Sequence, residues 1–560
     1  MAVSDAANNE GRIAGFTRLL RSLGNRKTGY MALFGFSSGL PYALLLGTLT
    51  AWLSDAKVDL ETMGVISLIG LAYAFKFLWS PLLDRVSIPG LVRLGRRKQW
   101  LVVAQLVLGL MLMLMAQMNP NSAVGLFSLC AGVGAFASAT QDIVIDAWRV
   151  DIADETATLD TLSAVYQLGY RAAVLVGGAL SLFIADAMGW TFVYTLMGGI
   201  MLVVGFASLY APDTHIGLQP DSGIDPLREA GQLDPKIRGT ALGIVGTLWL
   251  LSLGVVFWYM VMSLVADPAN RPDSVAFVKM QGPIIVIATV VIPSIIAAIL
   301  ARMQAQGRNV LHAPAPAASG IERALDHGYR ALVLPLIDIM GRLGWAAVLV
   351  LALVLTYRLT DTIWGSFASP FYLQELGYTK SEMAIASKFF GVGALMFGVA
   401  LGGVLFATVG RMATMTIGAI TAALTNLLYA DLATGGTVMA STARMTGFTW
   451  AVEHFGGDER MAKLMLAIGG ENIAGGMAGT ALVAYLSSIT SKQYSAVQYA
   501  LLSSLTFLVG TLGRGALGQM IEEQGYYAVF IFTTELGGVA VLLCLLEWAR
   551  QRRANPAAAR

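Results

Sequence analysis

Apolar runs of about twenty residues, the length of one helical bilayer crossing, recur along this chain between short polar connections. That spacing fixes the solvent. Backbone polar groups inside hydrocarbon must be satisfied within the segment, and a helix does so. By this measure there are about fourteen runs. The first six cover 30–54, 63–83, 99–118, 122–148, 160–186 and 190–210. Two follow at 240–264 and 277–300, and six more at 344–369, 382–407, 411–432, 464–487, 495–518 and 527–548. The short run at 331–340 reads as an interfacial helix. Composition agrees: 56% of residues are hydrophobic and 13% charged, with a mean hydropathy of +0.67. Ordinary soluble domains carry roughly 25% charged residues. The expected class is an all-α polytopic membrane protein of two six-helix halves and an inserted pair.

The polar segments divide the chain. A basic tail (1–28) precedes the first half (29–211). A linker (212–239) leads to the inserted pair (240–301). A second linker (302–342) carries HAPAPAASG, and its stretch 302–330 reads as a flexible tether. The second half (343–549) is followed by a basic tail (550–560). Lys and Arg concentrate before the first run, between the second and third, and after the last, so both termini are expected in the cytoplasm. The N-terminal residues lack the pattern of a cleaved signal, and the first span is expected to serve as the signal.

The net charge of +2 gives no reason to expect a nucleic-acid partner. Cys130 and Cys544 lie far apart in apolar runs and are expected as buried free thiols, without disulfide or metal site. His215, His312, His327 and His454 all fall outside the runs, so any proton carrier inside a span should be a carboxylate. No phosphate loop, zinc pattern or nucleophile motif stands in the polar stretches. Neither an enzyme nor a bound cofactor is expected, and an ion gradient would supply the energy.

The stretch ATQDIVIDAWRVD, Ala139–Asp151, interrupts that apolar background. Residues three and four apart share a helix face, so Asp142, Asp146 and Arg149 form one stripe, with Gln141 beside it. Charge at the bilayer centre costs several kcal/mol, so such residues face a bundle interior or an aqueous cavity. Lys76, in YAFKFLWSPLLDR, has no acid within a turn and needs a partner on another helix. It is read as a substrate or proton-coupling residue, or else as the structural partner of Asp142 or Asp146. Tyr166, Tyr170 and Arg171 share one side of the fifth run; Arg171 can clamp an anion or neutralise Asp142. Arg358, Asp361 and Trp364 recur at three-residue spacing in the ninth run and form either an internal pair or the second half's share of a site. Glu471 and Asn472 open GGENIAGGMAG in the twelfth. Asp142, Asp146, Asp361 and Glu471 are the candidate proton carriers. Lys388, Asn426, Gln498, Arg514 and Glu535 read as structural. Trp52, Trp190 and Trp548 stand where interfacial anchors should; Trp79, Trp148 and Trp364 flank charged positions as aromatic walls or as packing. Gly35 with Gly39, Gly398 with Gly402, and Gly475 with Gly479 have the spacing of close helix contacts.

Several segments resemble the AmpG muropeptide permeases of the major facilitator superfamily. They are GFSSGLPYALLLGTLTAWL (35–53), VDLETMGVISLIGLAYAFKFLWSPLLDR (58–85), SATQDIVIDAWRVD (138–151), LGYRAAVLVGGALSLFIAD (168–186), GENIAGGMAGTALVAYLSS (470–488) and SAVQYALLSSL (495–505). The stretches 212–345 and 433–463 match less well. Asp84-Arg85 followed by Gly95-Arg96-Arg97 is similar to the superfamily's gate hairpin, with an insertion; the second-half counterpart has Ala407 where an acid is usual. The resemblance implies a major facilitator fold in the bacterial inner membrane. It also implies proton-driven import of GlcNAc-1,6-anhydro-MurNAc and its peptides, hence wall recycling and β-lactamase induction. A monomer surrounded by lipid is the expected state. In that setting Lys76, Trp79, Gln141, Tyr166, Tyr170, Arg171, Arg358, Trp364 and Asn472 are expected to bind substrate, and Asp84, Arg85 and Arg149 to gate. A facilitator for another bulky anion, such as an acyl-coenzyme A or a drug, is the competing expectation. A scaffold docking partners on the inserted pair is the third.

Overall fold

The computed structural model describes residues 24–56, 58, 72–73, 76, 79–120, 124–212, 228–265, 274–314, 320–360, 367–368 and 371–554. Regular structure among them is helical apart from one isolated bridge between Leu233 and Val310. The first half comprises α1 (Arg26–Leu53), α2 (Ser80–Arg85), α3 (Arg96–Ala116), α4 (Val124–Ile152), α5 (Leu159–Met188) and α6 (Trp190–Ser208). Next come α7 (Pro235–Val265), α8 (Met280–Ala305) and α9 (Gly320–Leu332). The second half has α10 (Leu334–Leu343), α11 (Ala346–Thr356), α12 (Glu382–Val409), α13 (Arg411–Ala433), α14 (Thr437–Met445), α15 (Phe448–His454), α16 (Glu459–Ile489) and α17 (Ser495–Ala554). Among the described residues, 11 helices are long and apolar enough to cross a membrane, or 12 if α10 and α11, bent by 105°, count as one span. Most of the expected run 63–83 lies outside the described residues.

Helix starts follow local chemistry. The side chain of Asn25 accepts from the Lys27 amide at 2.9 Å, and that of Asp458 from the Met461 amide at 2.7 Å, satisfying donors that the first turn leaves open. Turns between spans rest on single glycines. Gly95, Gly189, Gly410 and Gly525 have φ of 81°, 81°, 84° and 78° with ψ between 163° and 172°, a region essentially closed to other residues. Gly95 opens α3 and Gly410 opens α13, while Gly189 opens α6 and Gly525 the final stretch of α17. The backbone thus repeats itself between the halves, and the Gly525 break divides α17 into two helices.

Packing uses small residues. A side chain on Gly35 or Gly39 would collide with the carbonyl oxygens of Tyr166 and Tyr170, so α1 lies backbone to backbone on α5. Gly109 and Gly198 bring α3 onto α6 in the same way, and Gly398 and Gly476 bring α12 onto α16. Where lipid is as apolar as the side chains, such close approach is what holds helices together. The expected pair at 475 and 479 behaves differently. Gly475 faces open space, and Gly479 makes room for the Arg358 guanidinium.

Two expectations need correction. The 302–330 stretch is ordered at both ends, not a free tether. The Gly231 amide donates to Leu311 O at 2.8 Å, the Leu311 amide to Gln232 O at 2.7 Å, and the Asp234 amide to Asn309 O at 2.8 Å. On α9, Asp326 takes Arg228 at 2.9 Å and Arg238 at 3.1 Å. Backbone pairing and a shared carboxylate override a composition typical of linkers. Trp52 is not an interfacial anchor. It is 6% exposed, with Phe127 edge-on at 5.1 Å and Trp190 stacked at 6.2 Å, because neighbouring helices cover the end of its run. Cys130 and Cys544 are buried free thiols.

The packing analysis predicts a contrast within the second half. Gly398→Ala should cost about 1–3 kcal/mol through overpacking and lower the melting temperature in detergent. Gly475→Ala should stay within about 0.5 kcal/mol of wild type. Equal melts for the two variants would refute the α12–α16 contact.

Candidate functional site

The α4 stripe sits in the middle of the first half, and its members divide the available partners. Asp146 takes both cations, Arg149 at 3.0 Å and Lys76 at 3.8 Å. Asp142 instead accepts from the Ser38 hydroxyl, which in turn accepts from Tyr166 Oη at 3.2 Å. Gln141 Nε2 donates to Ser37 O at 2.6 Å. Trp79 Nε1 donates to Thr140 Oγ1 at 3.1 Å, and Tyr73 Oη to Ser138 Oγ at 2.8 Å. Each polar group on this face therefore fastens α4 to a neighbour. Leaving any of them unsatisfied in such surroundings would cost about 1–3 kcal/mol. No Arg171–Asp142 ion pair forms among the described residues. Trp148 is fully buried and donates to Pro212 O at 3.3 Å, which is packing rather than a ligand wall.

Tyr42, Lys76, Trp79, Tyr170 and Arg171 are each half-buried. Tyr42 meets Tyr73 edge-on at 5.4 Å and Tyr170 at 6.0 Å, giving a corner of aromatic faces and hydroxyls. Arg171 lies over the Tyr170 ring at 5.4 Å, and its Nε has no hydrogen-bond partner among the described residues. Its electrostatic neighbours include Arg358 of the other half. Arg358, also half-buried, donates from Nη1 to Gly475 O at 3.3 Å. Deeper in the second half, Glu471 accepts from Tyr429 Oη, which accepts from Tyr372 Oη at 3.1 Å. Asn472 Nδ2 is turned to Ile468 O at 2.8 Å. Asp361 and Trp364 lie outside the described residues, as does the side chain of Arg85.

At the end carrying the basic connection, the halves are bolted together. Arg97, 1% exposed, donates to Asp84 at 2.7 Å, to Asp151 at 2.8 Å and to Ser495 Oγ at 2.6 Å. Ser495 Oγ in turn donates to Asp151 at 3.0 Å. Asp84 also accepts from the Val497 amide at 3.1 Å, an open donor of the first turn of α17. One turn deeper, Arg149 donates to Ser487 Oγ at 3.1 Å and lies over the rings of Tyr166 (4.9 Å) and Tyr499 (5.1 Å). Arg411 and Asp160 pair across the halves at 2.7 Å, nearer solvent. On the rim, Lys27 bonds Asp154 and holds its carboxyl below the usual carboxylate range.

Sequence reasoning passed over Ser38, Tyr42, Tyr73, Tyr429, Ser487 and Tyr499. Residue type could have flagged the tyrosines as polar groups within apolar runs. Ser487 carries no such signal, because its partner is 338 residues away. Arg97 and Asp151 were visible as charges but not as a cross-half fastening.

A sequence profile of the Major Facilitator Superfamily matches residues 31–229. Among solved structures, that of the human organic anion transporter MFSD10 (TETRAN) superposes with a TM-score of 0.54, covering 93% of this chain and 99% of that one at 13% identity. The chain has the major facilitator fold. Facilitators of similar sequence include the anhydromuropeptide permease of Escherichia coli K12, 28% identical over 95% of this chain and 83% of that one. Another is the putative transporter AmpG 4 of Rickettsia felis, 28% identical over 92% and 94%. These relatives are named permeases and transporters rather than enzymes.

The two kinds of cross-half contact should differ in weight. Removing a hydrogen bond to a buried charge costs about 1.5–3 kcal/mol, whereas a half-exposed ion pair contributes about 0–1 kcal/mol. Asp151→Asn should therefore lower the unfolding midpoint clearly, and Asp160→Asn barely. An Asp160→Asn loss as large as that of Asp151→Asn would mean that Arg97 is not the principal bolt.

Proposed function

We propose that this facilitator imports cell-wall muropeptides, GlcNAc-1,6-anhydro-MurNAc and its peptide-bearing forms, across the bacterial inner membrane in symport with protons. The observation that carries the proposal is the half-buried Arg171, lying over the Tyr170 ring beside the tyrosine corner of the first half, with Arg358 of the other half among its electrostatic neighbours. Guanidinium groups bind carboxylates through paired hydrogen bonds. Aromatic faces and phenolic hydroxyls suit sugar rings. A muropeptide brings both a sugar and carboxylates. The similarity along nearly the whole chain to a protein named for anhydromuropeptides supports that ligand over other bulky anions.

In this reading both termini are cytoplasmic, and the Arg97 and Arg149 contacts are the cytoplasmic gate in its shut position. Asp142 is the favoured proton site. Lys76 and Arg149 engage Asp146, whereas the direct partner of Asp142 is a hydroxyl, so the charge of Asp142 is the easier one to cancel. Glu471, held by Tyr429, is the corresponding carboxylate of the second half.

Labelled GlcNAc-anhydro-MurNAc-tripeptide should accumulate in membrane vesicles only under an inward proton gradient. Asp142→Asn should abolish that accumulation with the protein still folded. Arg171→Met should raise KM roughly 10–100-fold, the scale of a lost hydrogen bond to a charged group. Uptake inhibited by acyl-coenzyme A but indifferent to excess muropeptide would redirect the assignment to another bulky anion.

A further inference from the structure

We infer that Ser38 and Tyr166 are positioning residues that transmit the protonation state of Asp142 to the Arg149 contact between the halves. The inference rests on the symport reading above. The links form an unbroken chain. Ser38 donates to Asp142, Tyr166 Oη donates to Ser38 at 3.2 Å, and the Tyr166 ring lies 4.9 Å from the Arg149 guanidinium. Arg149 in turn donates to Ser487 at 3.1 Å and lies 5.1 Å from the Tyr499 ring, both in the second half. Tyr166 is the hinge of this chain: its hydroxyl reads the first half's carboxylate and its ring holds the cation that grips the second.

The direction of the effect follows from the donors. An ionised Asp142 orders both hydroxyls toward itself. A phenol donating to a hydroxyl that itself donates to an anion gains electron density in its ring, which strengthens its hold on the guanidinium. When a proton adds to Asp142, the carboxyl becomes a donor and Ser38 its acceptor. The hydrogen bond from Tyr166 then weakens, and with it the grip on Arg149. The proton arrives at and leaves from the same carboxyl. The hydroxyls pass on orientation and keep their own protons. The other groups acting on Asp142 are Lys76 and Tyr73 from the 72–79 segment, Asp146 on its own helix, Tyr170 beside Tyr166 on α5, and Tyr499 from α17. Tyr166 contacts Ser38 and Arg149 together.

The test separates coupling from movement in proteoliposomes, with labelled GlcNAc-anhydro-MurNAc-tripeptide as probe. Tyr166→Phe keeps the ring over Arg149 and removes the hydroxyl; Ser38→Ala removes the middle link. Gradient-driven accumulation should fall about ten-fold or more in Ser38→Ala, the scale of one hydrogen bond to a charged group, and roughly three- to ten-fold in Tyr166→Phe, the scale of one between neutral groups. In Ser38→Ala, counterflow exchange, which needs no gradient, should stay within about two-fold of wild type and lose its pH dependence. Variants that keep accumulation and the wild-type pH profile overturn the inference. So does joint loss of accumulation and exchange in Ser38→Ala, because the chain of contacts requires the two to separate there. Wild-type accumulation that survives collapse of the proton gradient refutes symport itself, a distinct result.

Discussion

A carboxylate surrounded by hydrocarbon has to be paired or protonated, and the bundle is arranged around that demand. Asp146 gathers Lys76 and Arg149; Asp142 gathers Ser38 and, through it, Tyr166. The partners come from the 72–79 segment, α1 and α5, so satisfying one face of α4 fixes three neighbours at once. The same logic crosses to the other half, where Arg149 uses Ser487 and Tyr499. Removing one member of such a set leaves a buried charge uncompensated, a large penalty, whereas the intact set contributes little net stability. Its value is in specifying which helices meet and in which arrangement.

Small-residue packing supplies the complementary part. Glycines let α1 lie against α5 and α12 against α16 with backbones touching. These contacts lie within each half and make it a stiff unit. The polar contacts between halves are few in kind: guanidinium to carboxylate, guanidinium to ring, and hydroxyl to guanidinium. They stand beside small-residue and aromatic packing, Gly403 against Ala164 and Phe183 against Phe389. Polar fastenings exchange readily for water when a cavity opens, so this part of the seam suits a rocking motion of one half against the other.

The span pattern and the α4 stripe were legible in the sequence because helical period and the expense of buried charge act locally. The Lys76–Asp146 pair was legible as one of two choices, since a lone lysine in an apolar run requires an acid. What distance hides was not legible. Arg149 and Ser487 are 338 residues apart, and Arg97 reads as a topology-setting charge until Ser495 and Asp151 are seen around it. The tether expectation for 302–330 failed because composition reports how a segment meets solvent, not whether a second segment will pair with its backbone. Trp52 failed similarly: a tryptophan at the end of a run meets the lipid headgroups only where no neighbouring helix covers it. The repeat between halves was legible in part, through the hairpin ending in Gly95-Arg96-Arg97 and its second-half counterpart at Ala407; Gly410 matches Gly95 in the fold. Gly189 and Gly525 complete it, but a lone glycine among many shows its positive φ only in the fold.

The backbone bridge between residues 231–234 and 309–311 gives the inserted helices a particular status. Chain enters and leaves the insert at points one hydrogen bond apart. A segment with coincident ends is a closed detour. Excising it and joining the ends would leave a gap that a residue or two could span, with no need to lengthen or shorten the path between the halves. It is therefore portable, and chains with and without it can share one transport body.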